Sequence, residues 1–449
     1  MALDPKVFKA YDVRGLYPSE LDEDGARAIG RAYVEHFEPK EIAVGRDMRL
    51  SSPTMHESFV RGASEAGADV VDIGMVGTEM LYHAVGELGL DGGATITASH
   101  NPKDYTGAKI VRRGALPVGG DSGLLDIRDR ALATQDMSGG QTPGRVEKRD
   151  VYPGFVDKVI SFIDPSGVRP LRVVIDGANG MAGSMLPPIL ERLPVDAVRH
   201  FFEPDGSFPD HEPNPLLEEN RRFIVSEVTK ERADLGIAFD GDGDRCFFVD
   251  DTGEFVPGDF VTALLAESML EKEPGGTIIY DVRASWAVRD TVERLGGKAL
   301  PNRVGHAFIK QRMREIDAVF AGEVSGHYYF RDFYQADSGT IPALLMLELV
   351  SKRGRKLSEL LRPFRERYFL TGELNTPVAD VALTLQRLKE HFADQGEVSH
   401  LDGISITAED WHMNVRPSNT EPLLRLNIEA LEPELMKRKR DEALQVIEG

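Results

Sequence analysis

Up to about residue 367 the chain repeats one alternation of hydrophobic and polar positions: an apolar strand, a helical period, another strand, and a strand that empties into a polar loop. In the first cycle a helical pattern over 23–37 leads to a strand over 41–44 that runs into Gly45-Arg46-Asp47. A helix over 53–66, a stop at Gly67 and a strand over 69–73 follow, and the β-branched run Thr95-Ile96-Thr97 then meets Ser99-His100-Asn101-Pro102. The second cycle has a strand over 172–175 entering Asp176-Gly177-Ala178-Asn179-Gly180, a helix through Leu193, a strand over 197–201, and a strand over 235–239 entering Asp240-Gly241-Asp242-Gly243-Asp244-Arg245. The third has a strand over 277–280, a turn at 281–283, a helix to Leu295, a stop at Gly296-Gly297, and a strand over 318–320 entering Gly322-Glu323-Val324-Ser325-Gly326-His327. Short connections between alternating periods force α/β layers.

After Arg362-Pro363-Phe364 the pattern turns β-rich: a helix over 383–392, a strand over 403–406, and a strand over 424–429 beyond the loop Arg416-Pro417-Ser418-Asn419-Thr420-Glu421-Pro422. The expectation is an α/β protein: three similar α/β domains with mixed sheets at 1–150, 151–253 and 254–367, plus a smaller C-terminal α+β domain at 368–449. The length of 449 residues by itself suggests roughly three domains, give or take one.

Composition narrows the classes. No apolar run approaches the roughly 18 residues of a membrane helix, and the amino terminus lacks a signal-peptide core, so a cytoplasmic protein is expected. A net charge of −21 argues against nucleic acid as a partner, and Lys437-Arg438-Lys439-Arg440 is read as an exposed helix face. Cys246, the single cysteine, is expected as a buried strand residue.

The loops carry the chemistry. Ser99 sits at the carboxyl end of a strand, where open α/β sheets bind ligands, and Lys109 returns a cation to the same place. A turn serine bonding its own backbone competes with this; a serine hydrolase does not, because no nucleophile elbow is present and neighbouring Ser99 and His100 would point apart in an extended segment. Asp240, Asp242 and Asp244 would project to one side of an extended segment and call for a divalent cation, Mg²⁺ or Ca²⁺ by their oxygen ligands. An EF-hand is a poor match, since Arg245 stands where its glycine belongs and the flanks are strand-like. Arg245 suits a phosphate oxygen, Glu323 with Ser325 suits a sugar diol, and the Arg416 loop offers the donors a phosphate dianion wants. The bland readings, an acidic surface turn, a glycine-rich turn and a packed His327, stay open at this point.

Taken together and in this order, Tyr11-Asp12-Val13-Arg14-Gly15, the Ser99 loop, the aspartate loop, GEVSGH and RPSNTEP resemble the α-D-phosphohexomutases, most closely the bacterial phosphomannomutase/phosphoglucomutase branch. The resemblance implies four domains around a central cleft and reversible exchange between hexose 1-phosphate and hexose 6-phosphate, of mannose, glucose or both. A hexose 1,6-bisphosphate would be the intermediate and activator. By the same resemblance Ser99 is carried as phosphoserine and, with Asp240, Asp242 and Asp244, holds Mg²⁺. Lys109 assists proton movement, and Arg14, Arg245 and His306 belong to the catalytic set. Tyr11, Arg283, Glu323, Ser325, His327, Arg416, Ser418, Asn419 and Thr420 bind the phosphosugar; Arg283 stands where lysine is commoner in this branch. No nucleic-acid or membrane partner is implied, and the assembly is a monomer or homodimer. A phosphoglucosamine mutase and a metal-dependent sugar phosphatase are the alternative activities.

Overall fold

The computed structural model describes residues 2–133, 142–417 and 423–448. Its contacts divide the chain into two compact units, Met1–Val256 with Gly326–Leu357 and Pro257–Ser325 with Ser358–Gly449.

The first unit opens on a mixed sheet. Glu41–Arg46 lies between Asp69–Met75 and Gly92–Ile96, parallel to both, while Tyr105–Arg112 runs antiparallel to Gly92–Ile96 and pairs onward with Val13–Leu16. The helix Glu23–Phe37 forms where the 3.6-residue pattern predicts it. Asp22 caps it by accepting from the Gly25 amide at 2.9 Å, and Ala26, Ile29 and Tyr33 point into the core with Ile42, Val44 and Phe59.

The second sheet repeats the order: Leu171–Asp176 lies between parallel Val195–His200 and Leu235–Phe239, and Cys246–Asp250 runs antiparallel to the latter. Cys246 is buried in that strand. One expected element breaks up. In place of a helix through Leu193 there are single turns, Ala182–Met185 and Pro187–Leu190, because the ring of Pro187 has no N–H to continue the first.

In the second unit Thr277–Asp281 again lies parallel to Lys298–Asn302 and Phe320–Gly322. Its carboxyl-terminal part is an antiparallel sheet, Trp411–Pro417 beside Leu423–Ala430 and Ile404–Thr407, covered by the helices Val381–Phe392 and Pro433–Glu448 around Leu388, Phe392, Trp411 and Ile447. The basic run departs from expectation: Lys437 and Arg438 are exposed, but the Lys439 ammonium lies 4.7 Å from the Trp411 ring centroid, a cation–π contact.

The chemistry-bearing loop therefore follows the same strand in each cycle: Ser99 after Gly92–Ile96, the aspartates after Leu235–Phe239, Glu323 after Phe320–Gly322.

Candidate active site

The first unit holds the Ser99 loop against the aspartate loop. Ser99 has φ +50°, the left-handed conformation that L side chains avoid, and its amide donates to Thr97 Oγ1 at 2.9 Å. The buried Arg49 fixes the loop from below, donating to the carbonyls of Ser99, Asn101, Pro102 and Tyr105 at 2.7, 2.6, 2.8 and 3.2 Å. Arg14 reaches the same loop through Asn101 Oδ1 at 2.5 Å and is itself held by Asp12.

Because the chain at Ser99 is not extended, the expectation that Ser99 and His100 diverge is corrected: Ser99 Oγ lies 3.3 Å from His100 Nδ1. Burial and the neighbouring Arg245 and Arg14 charges hold His100 well below the usual range, so its ring is neutral.

Ser99 Oγ donates to Asp240 Oδ2 at 2.9 Å. The aspartates do cluster, with carboxylate oxygens within 4.8 Å of one another, but a turn gathers them rather than an extended segment: the Gly243 amide donates to the Asp240 carbonyl, and Gly243 has φ +75°. The strands on either side are antiparallel partners, Phe239 opposite Cys246, so the loop closes a hairpin and an EF-hand is ruled out.

Lys109 extends from Tyr105–Arg112 and donates to Asp242 at 2.7 Å and to Asp244. Burial works against its charge, but Asp242, Asp244 and Asp240 outweigh it and lift its pKa above the ordinary lysine range. Asp242 answers in kind: buried, it is nonetheless driven far below the carboxylate range by Lys109 and by Thr78, whose hydroxyl donates to it at 2.5 Å. Asp240 and Asp244 are raised by burial, the Asp242 charge adding to both. Arg245 donates to Asp240 at 2.8 Å, leaving Nη2 with no hydrogen-bond partner among the described residues. Asp242 Oδ1 and Asp244 Oδ1 are likewise buried and unpartnered, so the donor set fits a hard divalent cation. His327 lies in this unit, with Nε2 3.8 Å from both Asp244 Oδ1 and Asp337 Oδ2. Tyr11, half-buried, precedes Val13–Leu16.

The second unit gathers arginines. Arg283 donates from Nη2 to Asp281 Oδ2 at 2.8 Å and from Nη1 to Glu373 at 3.1 Å; Arg425 reaches the other oxygen of Glu373 at 2.9 Å, and Arg416 lies 3.5 Å from it. Burial alone would raise the Glu373 carboxyl, yet the three guanidinium groups hold it below the usual range. Glu323 accepts from the Gly305 amide at 2.9 Å, which places His306, the first residue of His306–Ile316, beside it. Ser325 follows two residues later, half-buried. Ser418, Asn419 and Thr420 lie outside the described residues. Sequence reasoning missed Arg49, Thr78, Glu373 and Arg425, none of which belongs to a loop motif. The only sign was Arg49 in the polar turn after Glu41–Arg46.

These loops on this fold define a phosphoryl-transfer protein built from repeated α/β domains. Residues 5–134, 153–253, 257–368 and 373–446 match phosphoglucomutase/phosphomannomutase α/β/α domains I, II and III and the C-terminal domain. The chain is 46% identical over 430 residues, 94% of each protein, to a phosphomannomutase of Escherichia coli. It is 43% identical over 445 residues, 99% of each, to a protein of Xanthomonas campestris named phosphohexose mutases. A crystal structure of a phosphoglucomutase/phosphomannomutase family protein from Burkholderia thailandensis superposes with TM-score 0.90 at 33% identity, covering 99% of this chain and 97% of that one. The chain belongs to the phosphoglucomutase/phosphomannomutase family.

Proposed function

We propose that the chain is a phosphohexomutase isomerase that interconverts hexose 1-phosphate and hexose 6-phosphate through phosphoserine on Ser99 and a hexose 1,6-bisphosphate, with mannose phosphates among its substrates, as the relatives' names support. One observation carries the reading: a serine in a strained left-handed turn with Oγ 2.9 Å from one carboxylate of a buried aspartate trio that a lysine and an arginine brace.

In the forward step the bond from phosphorus to Ser99 Oγ breaks as a bond to a sugar hydroxyl oxygen forms, and that hydroxyl releases its proton. Lys109, kept as an ammonium by Asp242 and Asp244, stabilises the moving negative charge, donates a proton to the departing Ser99 Oγ and regains one from the sugar hydroxyl, so that in net the hydroxyl proton passes to Ser99. Arg245 offers its unpartnered Nη2 to a phosphoryl oxygen, and Arg14 steadies the loop through Asn101. Mg²⁺, held by Asp240, Asp242, Asp244 and the phosphoserine, would supply a fixed positive charge to the transferring group. Arg283 and Arg416, with Ser418, Asn419 and Thr420, take the phosphate that does not react. Glu323, Ser325, His306, His327 and Tyr11 orient the sugar. The bisphosphate then reverses and returns its other phosphoryl group to Ser99. A cytoplasmic location suits such a substrate, and among the described residues no helix is long and apolar enough to cross a membrane.

The test is intact-mass spectrometry with a mutase assay. Purified protein carries one phosphoryl group, and Ser99→Ala loses both that mass and turnover while keeping its circular dichroism spectrum. Retained turnover in Ser99→Ala would sink the carrier role. Inorganic phosphate released faster than sugar is isomerised would instead indicate a phosphatase. Glucosamine phosphate turned over in preference to mannose and glucose phosphates would indicate a phosphoglucosamine mutase.

A further inference from the structure

We propose that Asp402 is a positioning residue: its carboxylate ties the segment 304–306 to the turn beside Arg416, and so fixes the spacing between the sugar-orienting residues and the phosphate-binding arginines. This role rests on the mutase reading for what those groups hold, and adds to it a residue that belongs to none of the loop motifs.

Asp402 stands in the turn between the antiparallel partners Glu397–Ser399 and Ile404–Thr407, followed by Gly403 at φ +66°. The aspartate of an Asp-Gly turn ordinarily bonds its own backbone two residues on. Asp402 does otherwise: its Oδ2 accepts from the Val304 amide, 98 positions away, at 2.9 Å. Both residues belong to the second unit, but Val304 lies within domain III and Asp402 within the C-terminal domain.

Each end of this contact leads to the site. The Asp402 carbonyl accepts from Nδ2 of the buried Asn414 at 2.9 Å. A Cβ on Gly403 would collide with the Val415 carbonyl oxygen and stand 2.8 Å from Arg416 Cα, so the turn lies directly against the strand that carries Arg416. At the other end the next amide, Gly305, donates to the buried Glu323 at 2.9 Å, and His306 opens the helix that follows.

Consecutive amides are thus held by two carboxylates, Glu323 of the sugar loop and Asp402 of the C-terminal domain. Gly305, at φ +124°, is conformationally free, so the path of the segment depends on tertiary bonds such as these. The Asp402 bond is half-buried and charge-assisted, the stronger kind. A sugar phosphate gripped at Arg416 and oriented at Glu323 reacts only while the two grips keep their spacing, and a shift near 1 Å costs about 10²-fold in rate.

The experiment compares Asp402→Ala with Asp402→Asn in the full chain, by steady-state mutase assay and by hydrogen–deuterium exchange of the segment 303–306. Asparagine keeps an oxygen that accepts from Val304 and serves as the conservative rescue. The expected result is a kcat about 10- to 100-fold lower in Asp402→Ala, with KM changed far less, and a kcat near wild type in Asp402→Asn. Saturating inorganic phosphate should slow exchange of the segment in the wild type and in Asp402→Asn but not in Asp402→Ala. That readout needs no turnover, so it stands even if Ser99→Ala stays active and the mutase reading falls. An Asp402→Ala protein that melts earlier but keeps its kcat would mark a merely structural contact and overturn the proposal. So would phosphate that protects the segment in Asp402→Ala, or fails to protect it in the wild type. An Asp402→Asn protein as impaired as Asp402→Ala would also overturn it, assigning the effect to the charge that Asp402 places near Arg416.

Discussion

Ser99 owes its reach to one backbone torsion. At φ +50° the chain turns back on itself and sets Oγ toward Asp240, where an extended serine would have sent His100 to the opposite side. Such a conformation costs about 1–3 kcal/mol and persists because Arg49 ties four carbonyls of the loop. The glycines of the aspartate loop serve the same placement. A Cβ on Gly241 would stand 2.5 Å from the Ser99 carbonyl oxygen, so Gly241→Ala must push the two loops apart. A misplacement near 1 Å costs about 10²-fold in rate. The expected outcome is a kcat lower by about that factor with KM nearly unchanged, measured in a steady-state mutase assay; unchanged kcat would show that the loops tolerate separation.

At the scale of elements, the helix Thr78–Glu87 connects the site to the rest of the first unit. Thr78 donates to Asp242, and the next residue, Glu79, is fully buried and accepts from Ser338 and from the Thr340 hydroxyl, the latter at 2.5 Å. Burial pushes the Glu79 carboxyl up to about 8, against an ordinary value of 4.5. The sign follows by linkage: the native state holds this proton while the unfolded chain has lost it, so the stability Glu79 contributes is full below pH 4.5 and is lost as pH rises to about 8. Wild-type stability should therefore fall across that window by up to about 1.4 kcal/mol per pH unit from this group. Glu79→Gln, which cannot ionise, should show a shallower decline between pH 5 and 8 in urea melts; parallel slopes would mean that Glu79 is ionised in the folded protein.

For the whole molecule, the chain passes between its two units at Val256, Ser325 and Leu357, so neither unit is one continuous stretch. Ser99 and the aspartate trio belong to the first and the Arg283–Arg416–Arg425 cluster around Glu373 to the second. This division predicts a ligand effect confined to one unit. With Mg²⁺ at about 100 times its Kd, the transition of the first unit should gain about 2.7 kcal/mol in calorimetry while that of the second stays in place. An equal shift of both would show that they unfold together. Because Lys109 already neutralises part of the aspartate charge, removing metal with a chelator should abolish turnover and leave the fold intact by circular dichroism.

Sequence by itself determined the repeated α/β plan, the β-rich final domain and the buried Cys246, because periodicity and turn residues are local properties that burial then enforces; the pairing of Ser99 with the aspartate loop came only through the family resemblance. The sequence also carried the family, since five ordered motifs are more specific than any one of them. Tertiary structure decided the rest. The torsion of Ser99, the clasp of Arg49, the sharing of Glu373 among three arginines and the setting of His327 beside Asp337 each join residues from different elements, with Arg49 reaching 50 positions to Ser99 and Arg283 reaching 90 to Glu373. No local pattern encodes such contacts: they follow from which strand lies beside which and from the need to pair every charge that the packing removes from water.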